Sequence, residues 1–171
     1  MNPGELETLI GLIKTVEAPR SIVEFGVNEG RTAKAILREI PGIRSYVGVD
    51  VVADYIPSKT VQRNEVPAHP GHMVANDKRF SLIVRRRGSL DLTANDLPAA
   101  DAIFIDGDHG RETVIHDTAL ARAIARPGGI IIWHDFHDLG TVDVREVLHE
   151  FADLGQIITH VAGTWLAFER R

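Results

Sequence analysis

Five short apolar runs punctuate the chain: SIVEFGV (21–27), YVGV (46–49), SLIV (81–84), AIFI (102–105) and GIIIW (129–133). They are rich in β-branched residues and lack polar/apolar alternation. That predicts strands buried on both faces of a parallel sheet. Helical periodicity lies between and beside them. Residues 4–18 set Leu6, Leu9, Ile10, Ile13 and Val16 on one face, and residues 30–40 do so with Ala33, Ile36, Leu37 and Ile40. Residues 111–126 repeat the pattern with Val114, Ile115, Thr118, Ala119, Arg122 and Ala123, and residues 141–153 with Val144, Val147, Leu148 and Phe151. Pro41-Gly42 and Pro127-Gly128-Gly129 stop helices and start strands.

Strands alternating with helices predict an α/β doubly wound, mostly parallel sheet with right-handed crossovers. The C-terminal end breaks that rhythm. QIITHVA (156–162) and TWLAFER (164–170) flank Gly163 and predict an antiparallel hairpin. Residues 51–80 hold three prolines and few apolar positions. They predict a long loop, functional or mobile.

The chain has 171 residues, which predicts a single domain over residues 1–171. A net charge of −5 argues against a nucleic-acid-binding surface. The absence of cysteine excludes disulfides, thiolate zinc sites and cysteine nucleophiles. The first 20 residues read as neither a signal peptide nor a membrane span, so a cytoplasmic protein with no membrane partner is expected.

Two clusters carry candidate chemistry. The first strand runs into VEFGVNEG (23–30) ahead of a helix. Glycines there let backbone N–H groups approach a ligand at a helix N-terminus. The spacing Gly26-x-x-x-Gly30 departs from the dinucleotide fingerprint. Asp50 ends the second strand about 20 residues on, where an acid can bond ribose hydroxyls. The second cluster is IDGDHGRETVIHD (105–117) with IIIWHDFHD (130–138). In a doubly wound sheet the fourth and fifth strands are neighbours, so Asp106 and Asp135 meet at one sheet edge. Carboxylates that close raise each other's pKa unless a cation bridges them. Oxygen ligands suit Mg²⁺ or Ca²⁺, and an added imidazole suits Mn²⁺, Fe²⁺ or Zn²⁺. Asp108, His109, His134 and His137 stand close by in sequence.

VEFGVNEGRTA and YVGVD resemble the first two motifs of class I methyltransferases, which have a Rossmann-like fold and bind S-adenosylmethionine. The resemblance implies that Glu24 and the Gly26 turn hold the methionine portion and Asp50 the ribose. It also implies that Gly88 and Ser89 meet the adenine edge. The pattern IDGDH with a late HD-aromatic is similar to metal-dependent O-methyltransferases, especially those acting on sugar hydroxyls of natural products, and more distantly to catechol O-methyltransferases. It covers residues 22–136 apart from 51–80. The resemblance implies Asp106, His134 and Asp135 as ligands of Mg²⁺ or Mn²⁺, with Asp106 also bordering the cofactor, and His109 as the base. Phe136 stands where the catechol enzymes carry an asparagine ligand, and His134 replaces a carboxylate.

The expected activity is S-adenosylmethionine-dependent, metal-assisted O-methylation of a hydroxylated small molecule or sugar. A metal-independent methyltransferase and a non-catalytic cofactor-binding module are the alternatives. With so little chain to cover the acceptor, a partner subunit is expected to complete the site, giving a homo-oligomer. His116 is expected to be structural, Asp117 to form a local ion pair, and Trp133 and Trp165 to pack in the core or at its edge. The basic cluster Lys78, Arg79, Arg85, Arg86 and Arg87 is expected to be a solvated strand end.

Overall fold

The structure is a computed structural model that describes residues 3–56 and 66–171. Part of the long loop expected over 51–80, residues 57–65, therefore lies outside the described residues. Seven strands form one sheet: β1 (Ser21–Phe25), β2 (Ser45–Val51), β3 (Phe80–Arg85), β4 (Ala100–Ile105), β5 (Ala125–Trp133), β6 (Thr159–His160) and β7 (Ala167–Arg170). Their order is β3-β2-β1-β4-β5-β7-β6. The first five are parallel, while β7 runs antiparallel to both β5 and β6. The expected doubly wound sheet with a terminal antiparallel pair is therefore present.

The strands form where burial on both faces rewards β-branched side chains. All five residues of β1 are buried, as are the last five of β5. Helices α1 (Pro3–Lys14) and α2 (Arg31–Glu39) contribute Leu9, Ile13, Ala33 and Ile36 to one apolar layer. Helices α3 (Arg111–Ile124) and α4 (Val144–Asp153) contribute Val114, Ala121, Val147 and Leu148 to the other.

Three expectations need correcting. The C-terminal strands are shorter than 156–162 and 164–170, because residues 161–166 make the turn, with Val161 N–H bonded to Leu166 O at 2.9 Å. Helix α1 stops at Lys14 rather than at 18, and Ala18 adopts a left-handed φ of 46°. Helix α3 buries a different stripe from the one its apolar spacing predicts. Val114, Asp117, Thr118, Ala121 and Ile124 face inward, while Ile115 is 39% exposed and Ala119 and Ala123 are exposed. A buried aspartate in mid-helix is what hides that phase from a reading of apolar residues alone.

Candidate active site

Parallel register decides which loops meet. Glu24 pairs with Phe104, and Ile105 with Trp133, so the loops after β1, β4 and β5 leave the sheet at one edge. The turn after β1 is built on left-handed backbone: Gly26 at φ 83°, Asn28 at 48° and Gly30 at 89°. Gly26 requires glycine for space as well as for φ, because a Cβ there would overlap the backbone carbonyl of Asp106. The two loops are stitched together by the Asp106 N–H, which donates to Phe25 O at 2.9 Å.

Asp50, at the end of β2, braces this turn. Its Oδ2 accepts the Asn28 N–H at 2.6 Å and its Oδ1 the Val51 N–H at 2.7 Å. Burial raises the Asp50 pKa, and these backbone bonds pull against that rise. Beside it opens a cavity of about 370 Å³. Gly26, Asp50, Gly88 and Ser89 line one part of it, and Asp106, His109, His134 and Asp135 another. All the expected site residues except Glu24 thus border one space.

Glu24 is placed differently. It is buried and is not among the cavity-lining residues, and its Oε2 accepts the Tyr46 hydroxyl at 2.9 Å. Burial pushes its pKa up to about 8, against the lowering effect of that bond. This placement does not support the expected direct contact with the methionine portion, because the carboxyl is engaged beneath the turn.

Asp106, His134 and Asp135 offer ligand atoms within 4.8 Å of one another. His134 Nδ1 lies 3.2 Å from Asp106 Oδ1 and 3.0 Å from Asp135 Oδ2. That nitrogen is buried and has no hydrogen-bond partner among the described residues. An orphaned imidazole nitrogen between two carboxylates fits a divalent cation. Without one, burial opposes a charged ring, yet Asp106 and Asp135 still push the His134 pKa up to about 10. Burial would likewise raise Asp135, but His134, His109 and His137 hold it below its ordinary value. His109 Nε2 is 3.1 Å from Asp135 Oδ2. Asp135 itself is left-handed, with φ 58°, a conformation that Asp and Asn adopt more readily than other residues with a side chain.

Several lining residues escaped the sequence reading. Asp117, expected to form a local ion pair, is 1% exposed and has an Oδ1 with no hydrogen-bond partner among the described residues. Burial pushes its pKa up to about 7, and a bond from Ser89 lowers it. Trp165, expected to pack, is 42% exposed and lines the cavity, with its ring centroid 4.4 Å from that of His137. Trp133 does pack, fully buried, and donates Nε1–H to Thr118 Oγ1 at 3.0 Å. The Tyr55 hydroxyl donates to Asp108 Oδ2 at 2.9 Å, which brings the loop after β2 to the cavity wall. His116 is structural: its Nε2 donates to Ser89 O at 3.0 Å, supporting the turn after β3. In the basic cluster, Arg79 pairs with Asp77 and Arg87 with Asp91, and Arg87 also borders the cavity.

A family model described as a methyltransferase domain matches residues 23–136. An uncharacterized protein of Acanthamoeba polyphaga mimivirus is 29% identical over 117 residues, covering 68% of this chain and 51% of that protein. The chain thus spans about half the length of this curated relative. Among solved structures, the O-methyltransferase NovP superposes with a TM-score of 0.71 at 14% identity, covering 98% of this chain and 79% of NovP. An O-methyltransferase from Bacillus cereus in complex with SAH gives a TM-score of 0.65 at 17% identity, covering 100% of this chain and 82% of that one. At these identities the structural likeness speaks to fold.

Proposed function

Because the chain belongs to the methyltransferase-domain family, we propose that it transfers a methyl group from S-adenosylmethionine to a hydroxyl of a small molecule, assisted by a divalent cation. The observation that carries the reading is the single cavity in which Asp50 and the Gly26 turn face the Asp106, His134 and Asp135 group. Its volume, about 370 Å³, lies within the range of small-molecule sites.

When bound, the cofactor supplies an electrophilic methyl on sulfur, and the cation lowers the pKa of the acceptor hydroxyl. Asp50 and the backbone of the Gly26 turn hold the ribose and methionine portions. Gly88 and Ser89 border the base. Glu24 supports the turn from beneath through Tyr46. Asp106, His134 and Asp135 would hold the cation, and the acceptor hydroxyl would be oriented beside them. His109 takes the hydroxyl proton, and Asp135, 3.1 Å from its Nε2, steadies the imidazolium that results. The exposed indole of Trp165 forms an apolar wall on the acceptor side, suited to a ring-bearing alcohol or sugar.

Incubation with labelled S-adenosylmethionine and a panel of phenols, sugars and glycosides tests the reading. Expected is methyl transfer to a hydroxylated acceptor that is lost with chelator and restored by a divalent ion. Transfer indifferent to chelator would remove the metal from the mechanism. Transfer to an amine or carbon alone would remove the hydroxyl acceptor.

A further inference from the structure

Glu5 lies on the first turn of α1, far in sequence from the residues lining the cavity, yet it is 5% exposed and reaches the His134 ring. Its Oε1 accepts the Trp165 backbone N–H at 2.8 Å. Its Oε2 is 3.5 Å from His134 Nε2. A carboxylate only accepts hydrogen bonds, so the nitrogen facing it carries the hydrogen. In the neutral ring this leaves the lone pair on Nδ1, the atom that stands between Asp106 and Asp135 with no hydrogen-bond partner among the described residues. Phe104 and Trp165 flank the ring, with centroids 6.5 Å and 6.2 Å away, and limit its rotation.

We propose that Glu5 is a positioning residue for a transition-metal site: it fixes His134 so that Nδ1 completes, with Asp106 and Asp135, a mixed nitrogen–oxygen ligand set that selects Mn²⁺, Co²⁺ or Zn²⁺ over Mg²⁺. This rests on the metal-assisted reading above. The chemistry follows from donor type. Mg²⁺ favours an all-oxygen shell and gains little from imidazole, whereas the later divalent ions gain from it. A carboxylate on the far nitrogen of a ligating histidine sets the tautomer and raises the ligand's basicity. The same Glu5 side chain ties α1 to the turn that carries Trp165, so the ligand, the acceptor wall and the first helix share one anchor.

The test is Mn²⁺ titration of the full chain followed by electron paramagnetic resonance, with Mg²⁺ competition, for the wild type and Glu5→Gln. Gln keeps an oxygen for the Trp165 N–H but can turn its amide N–H₂ toward His134. Wild type is expected to retain Mn²⁺ against more than about 10-fold excess Mg²⁺. Its Mn²⁺ spin echo is expected to carry nitrogen modulation from a coordinated imidazole. In Glu5→Gln the affinity is expected to fall about 10–100-fold with loss of that modulation. S-Adenosylhomocysteine affinity should not change, which serves as the check on folding. Equal Mg²⁺ and Mn²⁺ affinity in the wild type, or a variant that binds Mn²⁺ with unchanged affinity and modulation, overturns the inference and leaves the metal-assisted reading standing. A wild type that binds no divalent ion overturns both.

Discussion

Gly26 and Asp106 lie against each other at adjoining strand ends, and a methyl group on Gly26 would overlap the Asp106 carbonyl. The cofactor turn and the cation group are therefore one mechanical unit. Gly26→Ala is expected to disturb both at once. The left-handed φ of 83° alone costs an alanine about 1–2 kcal/mol, before any displacement of the β4 loop. Thermal unfolding should show that loss, and calorimetry should show weakened binding of both S-adenosylhomocysteine and Mn²⁺. Loss of one affinity with the other intact would separate the two halves of the site.

Glu24 and Asp117 are buried acids with raised pKa values, about 8 and about 7. A raised folded-state pKa means that the folded chain binds more protons than the unfolded one. Stability from each group is then full below its unfolded pKa, near 4.5 for Glu24 and 3.8 for Asp117, and is lost as pH rises toward 8 and 7 respectively. The slope is at most about 1.4 kcal/mol per pH unit for each proton. Glu24→Gln keeps an acceptor for Tyr46 and has no proton to lose. Its stability relative to wild type should climb between pH 4.5 and 8 and then level off. Denaturant unfolding across that range checks it, and a constant offset would show that Glu24 is ionised in the fold. Asp117→Asn should behave similarly with its plateau near pH 7.

For the cation group, Asp106→Ala combined with Asp135→Asn is expected to abolish divalent-ion binding. Asparagine is chosen at 135 because it tolerates the left-handed backbone there, so the change tests charge rather than strain. Full metal affinity in that double variant, measured by calorimetry, would place the ion elsewhere.

The sheet was legible because strands buried on both faces leave continuous apolar runs, as at AIFI (102–105) and GIIIW (129–133). Asp106 and Asp135 could be paired before any coordinates, since parallel neighbours deliver their loops to one edge. What stayed hidden comes from contacts between distant segments. Glu5 meets His134 across 129 positions, and Trp165 meets the cavity through a turn that its local pattern presents as strand. Asp117 was obscured for another reason: a charged residue at the inward phase of α3 looks, in one dimension, like a solvent-facing position. Glu24 sat in the right motif, and only the third dimension turned its carboxyl toward Tyr46.

The proposed methyl transfer depends on this cavity binding S-adenosylmethionine through Asp50 and the Gly26 turn. Calorimetric titration with S-adenosylhomocysteine, comparing wild type with Asp50→Ala, tests it most directly. Saturable binding to the wild type is expected, with a loss of at least about 10-fold in the variant, whose fold is monitored by circular dichroism. Absence of binding to the wild type, with or without Mn²⁺, or equal affinity in a folded Asp50→Ala, would contradict it.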